Sequence, residues 1–353
     1  MRAARYHGPR DIRIEEIPEP EAAHHQVMIR IEWCGICGTD LHEYYDGPVF
    51  CPTAFEPHPL TGATSPVVLG HEFVGIVEAV GPDVTRARVG DRVIVEPRQT
   101  CGECDACQSG HHNCCPNAAT IGLQGGGGGL AELIAVNEEL VFRIGDLPAD
   151  VGAVIEPLAV ALHAVRQAGS VEGASAAVFG AGPIGLLVTW MLKVHGARSV
   201  ILVEPSATRR GRGTCFGADQ EIDPVRADAV AAIRDETGGA GVDVAFECAG
   251  RDAALAGCLE SVRPRGTVIN VAISGRPMSV DLLPLILKEL RLVGTICYAN
   301  DHQAVIDILA THPFPIAEFV TGRIDLADLV EHGIRTLAED NEAHVKILVS
   351  PTP

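Results

Sequence analysis

The stretch SAAVFGAGPIGLLVTWMLKVHG, Ser175 to Gly196, carries the decisive pattern of this 353-residue chain. SAAVFGAG reads as a strand running into a glycine turn, and PIGLLVTWMLKVHG as a helix ended by Gly196. Gly180, Gly182 and Gly185 form a Gly-x-Gly-x-x-Gly run, with Pro183 and Ile184 between the last two glycines. Glu204 closes the following strand, SVILVEPS. A bare glycine triplet says little; placed between strand and helix, with a distal carboxylate, it marks a dinucleotide fold. The glycines let backbone amides at the helix N-terminus approach a pyrophosphate, whose charge the helix dipole favours. Glu204 can accept hydrogen bonds from ribose hydroxyls and would repel a 2′-phosphate, so the expected cofactor is NAD rather than NADP. Arg209 and Arg210, on the next helix, fit either a solvated face or an adenosine contact. Gly211 and Gly213 make that helix a weak one.

No residue from Gly173 to Leu192 is charged, which approaches the length of a membrane span. The glycines and proline in its middle break such a span and fit strand, turn and helix better. Outward from here, after about Pro157, VDVAFECAG, GTVINVAIS and LVGTICY read as further strands alternating with helices, the rhythm of a parallel α/β sheet. Before it the rhythm differs. From Ile12 to Val95, runs such as VMIRIEW, FVGIVEAVG and DRVIVEP between Gly, Pro and Asp turns suggest an all-β, partly barrel-like module. Beyond Asn300 come two helix-like stretches, HQAVIDILATH and DLADLVEHGIRTLAED, and a last strand, VKILVS. The run Gly125 to Gly129 reads as a flexible loop or as tight backbone near a site. Length and a hydrophobic content of 47% favour two domains.

A formal charge of −19 disfavours nucleic acid and anionic membranes as partners and leaves small soluble molecules. The N-terminus, MRAARYHGPRDIRIEE, has no apolar core, so a cytoplasmic location is expected. In a reducing compartment, the 12 cysteines are read as metal ligands where clustered and as packed small hydrophobes where scattered. Cys34, Cys51, Cys215, Cys248, Cys258 and Cys297 are scattered.

CGECDACQSGHHNCC, Cys101 to Cys115, is the cluster. Cys101, Cys104, Cys107 and Cys115 offer four thiolates on tight turns, enough to close a tetrahedral zinc. The spacing also admits an iron–sulfur cluster, although a ferredoxin run has a last gap of three residues, not seven. A Cys-x-x-Cys redox pair would leave the other cysteines unexplained. Spacing alone does not choose between Cys114 and Cys115 or exclude His111 and His112. A second constellation is dispersed: Cys37 in GICGTD, His71 and Glu72 in LGHEF, and Glu156 in IEPLAVALHA. A cysteine, a histidine and a carboxylate leave a fourth position for water or substrate, as a catalytic zinc requires.

GICGTDLHEY, LGHEFVGIVEAVG, GDRVIVEP, the four-cysteine lobe, EPLAV and GAGPIG follow one another over nearly the whole chain. In that order they resemble the zinc-dependent medium-chain alcohol dehydrogenases. The insert DGPVFCPTAFEPHPLTGATSPVVLGHE and the segment GLQGGGGGLAE resemble the branch acting on (R,R)-2,3-butanediol and acetoin, from which Leu130, Ala161 and Leu162 depart. The resemblance implies a GroES-like catalytic domain from residues 1–156 and 300–353, with a zinc lobe at about 97–116, and a Rossmann NAD-binding domain at 157–299. It implies two zinc ions per chain. Cys101, Cys104, Cys107 and Cys115 would hold the structural ion; Cys37, His71 and Glu156 match the catalytic ligand positions, and Glu72 matches a carboxylate that ligates zinc or sits just behind it. Thr39 and His42 match the proton-relay positions, and Lys346 a basic contact to the coenzyme. A homodimer or homotetramer, in which GTVINVAIS and LVGTICY pair across a subunit edge, is expected by the same analogy. The alternatives are polyol or threonine oxidation by the same chemistry, and a non-catalytic NAD-binding protein.

Overall fold

A computed structural model describes residues 1–352. The chain forms two compact units, Pro157–Asp301 and a second one made of Met1–Glu156 with His302–Pro353.

In the continuous unit, six parallel strands follow the order Gln220–Ile222, Ser199–Val203, Ser175–Phe179, Val242–Glu247, Val262–Asn270, Arg291–Gly294. Ser175–Phe179 is buried at every position, as a strand covered on both faces must be. Strand order reverses on either side of it. Phe179 is in register with Val203 on one flank and Glu247 on the other, so the turn after Phe179 opens at the topological switch point where dinucleotides bind. Helix Pro183–Val194 then begins with proline in its first turn and ends before Gly196, whose φ is +79°. The uncharged window is thus split between a strand, a turn and a short helix. Among the described residues no helix is long and apolar enough to cross a membrane.

The helix expected after Glu204 is broken into Ala207–Arg210 and a 3₁₀ turn, Gly213–Phe216. Gly213 is buried, and a Cβ there would run into Leu202 and Glu221. The glycine trades helix propensity for close approach to the sheet. LVGTICY is a strand only as far as Gly294.

The other unit holds a mixed sheet in the order Val141–Arg143, Arg92–Val95, Glu72–Val80, Gln26–Gly35, Lys346–Ser350, Val320–Asp325, with Leu133–Asn137 also paired to Gln26–Gly35. A smaller sheet joins Asp11–Glu16, Arg2–Gly8 and Val67–Val68. Their inward residues, among them Ile29, Ile31, Leu69, Phe73, Val93 and Val349, form one apolar cluster. Each such side chain contributes about 1.5–3 kcal/mol on full burial. HQAVIDILATH becomes helix His302–Leu309, whereas the stretch beginning at Leu326 passes through 3₁₀ and π turns before helix Arg335–Glu339.

Gly125 to Gly129 is packed tightly. Gly125, Gly126 and Gly127 have positive φ, and side chains at Gly128 or Gly129 would collide with Leu69 or Phe73. Gly122 is pressed against Gly70, directly before His71. Leu130, Ala161 and Leu162 are fully buried.

Candidate active site and metal centres

Three neighbouring strands converge at one end of the mixed sheet. Gly35 lies opposite Glu72 on one side and Leu348 on the other, so Cys37, the pair His71–Glu72 and Lys346 arrive together from distant parts of the sequence. Cys37 caps helix Gly38–Asp46, and its amide donates to Asp40 Oδ2 at 2.9 Å. Ligand atoms of Cys37, His71 and Glu72 all lie within 4.8 Å of one another. Glu156 stands outside that set at the start of helix Ile155–Gln167, yet its charge acts on His71 and on Lys346.

The electrostatics call for a cation. Burial pulls the His71 imidazole down, but the charges of Cys37 and Asp40 and a hydrogen bond to Cys37 outweigh it and hold its pKa well above the ordinary value. Burial likewise pulls Lys346 down, and Glu72, Cys37 and Glu156 push it up further. Asp40 Oδ1 and His71 Nδ1 are buried without a hydrogen bond, 3.9 Å apart. A thiolate, an imidazole and two carboxylates in a buried, net-negative setting fit a zinc ion.

Lys346 is where the resemblance places a coenzyme contact, and the structure gives it other work. Its Nζ is buried and donates to Glu72 Oε2 at 2.6 Å and to the Ile36 carbonyl at 2.9 Å. Gly35 makes room for this pair, because a Cβ there would strike Glu72 Oε2. Thr39 is half-buried, with Oγ1 3.7 Å from Cys37 Sγ. His42 is exposed on the same helix, 3.6 Å from Asp46. Asp40, which sequence reading passed over, had a signal: it stands three residues after Cys37, the spacing of a capping box.

In the lobe, Cys101, Cys104, Cys107 and Cys115 gather their sulfurs within 4.8 Å of one another. Individual separations are 3.5 Å for Cys104–Cys107 and Cys101–Cys115, and 4.0 Å for Cys101–Cys107. Four sulfurs about 2.3 Å from one ion sit about 3.8 Å apart, so the four fit a single tetrahedral zinc. An iron–sulfur cube puts each thiolate on a different iron and holds them wider. Backbone amides of Glu103 and Cys104 lower the Cys101 thiol to about 7. At Cys104 the pull of the Cys107 amide is outweighed by burial and by hydrogen bonds among the sulfurs, which push that thiol up to about 11, so without metal the four share less than a full set of thiolates. Cys114 and His111 are exposed and half-buried His112 faces Glu96 with Nε2 at 3.7 Å; all three lie outside the set.

At the glycine turn, Gly180 has φ +106°, and a side chain at Gly185 would meet the Gly180 carbonyl, so turn and helix are in contact. A Cβ at Gly182 would point into open space. Glu204 is buried and already engaged: Oε2 accepts from Ala181 N at 2.8 Å and Oε1 from Ser206 N at 3.0 Å. It therefore fixes the glycine turn as well as offering its remaining lone pairs. Arg210 donates to the carbonyls of Glu204 and Pro205 and pairs with Asp223, a structural use. Arg209 is half-buried on the same turn of helix.

Comparison with known proteins covers both units. Residues 23–146 match the alcohol dehydrogenase GroES-like domain and residues 183–311 the zinc-binding dehydrogenase domain. The chain is 42% identical to (R,R)-butanediol dehydrogenase of Neisseria gonorrhoeae, with 99% of each chain covered. It is 43% identical to the enzyme of that name from Bacillus subtilis, covering 99% of this chain and 100% of that one. The crystal structure of 2R,3R-butanediol dehydrogenase from Bacillus subtilis superposes with a TM-score of 0.93 at 42% identity, 99% of each chain being covered. Likeness at this level along the full chain places it in the family of zinc-dependent medium-chain alcohol dehydrogenases.

Proposed function

We propose that this protein oxidises (R,R)-2,3-butanediol to acetoin with NAD and catalyses the reverse reduction. The carrying observation is the gathering of Cys37, His71 and Glu72 within 4.8 Å of one another, with Asp40 and Glu156 adding negative charge around His71. Full-length likeness to two butanediol dehydrogenases supports the choice of substrate.

Cys37 and His71 hold the catalytic zinc together with a carboxylate, Glu156 or Glu72, and the four lobe cysteines hold the structural one. Zinc supplies Lewis acidity that brings a secondary alcohol's proton within reach near neutral pH, and NAD supplies the hydride acceptor. The chain's own groups do the rest. Thr39 Oγ1, beside Cys37, takes up the alcohol's proton as it gives up its own, and exposed His42, further along the same helix, is the group that exchanges a proton with solvent at the end of the relay. Lys346 holds one oxygen of Glu72, and the Asp40 carboxylate stands 3.9 Å from His71 Nδ1 as a nearby negative charge. With two carboxylates at the site and one needed as a ligand, the other accepts the second hydroxyl of a vicinal diol; a simple alcohol forgoes that bond. Gly180, Gly182, Pro183, Ile184 and Gly185 seat the pyrophosphate, and Glu204 favours NAD.

None of the 12 cysteines is held in a disulfide, which fits a reducing compartment such as the cytoplasm. Edge strand Arg291–Gly294 and the neighbouring helix expose Leu283, Ile286, Leu287 and Leu292, a face suited to a second copy in a homodimer or homotetramer. Initial rates of NADH formation on (R,R)-, meso- and (S,S)-butanediol, sorbitol and threonine test the substrate. A preference for sorbitol or threonine over every butanediol overturns it. Glu156→Ala is expected to lose activity while keeping the lobe zinc, and full turnover in that variant would remove Glu156 from the ligand set.

A further inference from the structure

In a chain with 46 acidic residues against 27 lysines and arginines, one cavity has the opposite sign. Its volume is about 890 Å³, and its walls carry Arg86, Arg88, Arg92 and Arg143 against two acids, Asp91 and Asp146. Arg92 is held by Glu32 through two bonds of 2.8 and 3.1 Å, and Arg86 Nη1 donates to the Glu139 carbonyl at 3.3 Å. The guanidinium groups of Arg88 and Arg143 have no partner among the described residues. Asp91 makes no ion pair with the Arg88 guanidinium; its Oδ2 accepts from the Arg88 backbone amide at 2.9 Å.

The arrangement is built into the sheet. Arg143 lies on edge strand Val141–Arg143, opposite Val93 of the strand that begins with Arg92. Arg88 sits on the turn leading into that strand, where Gly90 has φ +92°. Uncompensated guanidiniums around one cavity repel each other, and a multivalent anion between them relieves that repulsion. Planar five-donor forks match phosphate oxygens two at a time. The volume lies in the range of small-molecule sites and accommodates more than a bare ion.

We propose that this cavity binds a phosphate-bearing small molecule, gripped by Arg88 and Arg143, at a site separate from the metal and dinucleotide sites. The test uses the zinc-loaded enzyme saturated with NAD, so that the glycine turn is filled, titrated calorimetrically with inorganic pyrophosphate at fixed ionic strength. Wild type is expected to show saturable binding to one site per chain. Arg88→Ala/Arg143→Ala is expected to bind at least tenfold more weakly, with Arg88→Lys/Arg143→Lys in between, because the charge stays and the fork is lost. Inorganic phosphate should bind more weakly than pyrophosphate with the same dependence on both arginines. Neither arginine touches the proposed active site, so butanediol turnover should stay at the wild-type level in both variants, which also reports correct folding. Non-saturable heats in wild type, or equal affinity in the alanine variant, overturn the proposal.

Discussion

Replacing Glu204 by alanine tests whether the carboxylate at the end of its strand acts by building the glycine turn. Ala181 is fully buried, and its amide donates to Glu204 Oε2 at 2.8 Å; no water can replace that acceptor without opening the turn. Ser206, bonded to Oε1 at 3.0 Å, is half-buried and can turn to solvent, so its share of the loss is small. A hydrogen bond to a charged group contributes about 1.5–3 kcal/mol, and leaving a buried donor unmet costs about 1–3 kcal/mol. If NAD binding must restore the turn, a deficit of about 1.5–3 kcal/mol weakens NAD roughly 10- to 150-fold. Glu204→Gln keeps one carbonyl acceptor for the Ala181 amide and should fall between wild type and the alanine variant. Removing the charge should also narrow the preference for NAD over NADP, since repulsion of the 2′-phosphate disappears. The assay is direct titration of NAD and NADP followed by protein fluorescence quenching, at one ionic strength for all variants. An alanine variant binding NAD within twofold of wild type would falsify the reasoning, because the turn would then hold its shape without the bond.

Cys115→Ser should lower zinc from two ions per chain to one, and Cys114→Ser should leave two, as read by elemental analysis after dialysis; equal loss in both would reject the ligand set. In protein stripped of zinc, Lys346→Met removes the ammonium that pairs with buried Glu72. Breaking a buried pair costs about 3–5 kcal/mol, measured by guanidinium unfolding followed through Trp33, and Lys346→Met/Glu72→Gln should recover most of it; a single-variant loss under about 1 kcal/mol would refute that. Burial pushes Asp301 up, but hydrogen bonds from His163 and the Ala299 amide and the charge of Arg166 outweigh it and hold the carboxyl below its ordinary range. A depressed native pKa gives stability that is present above the unfolded value of about 4 and lost as pH falls through the native one. Asp301→Asn should therefore lose stability at neutral pH and show a shallower decline below about pH 4, and parallel curves for the two proteins would contradict the assignment.

What could be read from sequence was local. The turn at Gly180 to Gly185 and the lobe at Cys101 to Cys115 each fit within fifteen residues or fewer, so their spacing reports their geometry directly. The chemistry of Gly213 was visible only as a poor helix former; the reason, contact with Leu202 and Glu221, belongs to tertiary packing. Strands Gln220–Ile222 and Val320–Asp325 went unread because they are short or half-exposed and show weak alternation. The stretch DLADLVEHGIRTLAED looked like one helix because its apolar periodicity is right. Gly333, which packs on Ile36 and Ile324 where a side chain would collide, sits instead in a π turn. The pairing of Lys346 with Glu72 was illegible for a different reason: the partners are 274 residues apart, and no spacing rule spans that distance.

The insertion of Lys346–Ser350 beside Gln26–Gly35 has a consequence for how the protein is made. Lys346 reaches the Ile36 carbonyl across 310 residues, so the buried pocket around Cys37, His71 and Glu72 cannot close until almost the whole chain has left the ribosome. The four lobe cysteines need only one short loop and can take their ion early in synthesis. The two metals should therefore be acquired in sequence, structural first and catalytic last, with the Rossmann unit folding in the interval. A nascent chain arrested within that unit would hold one zinc and carry the other three donors still open to solvent.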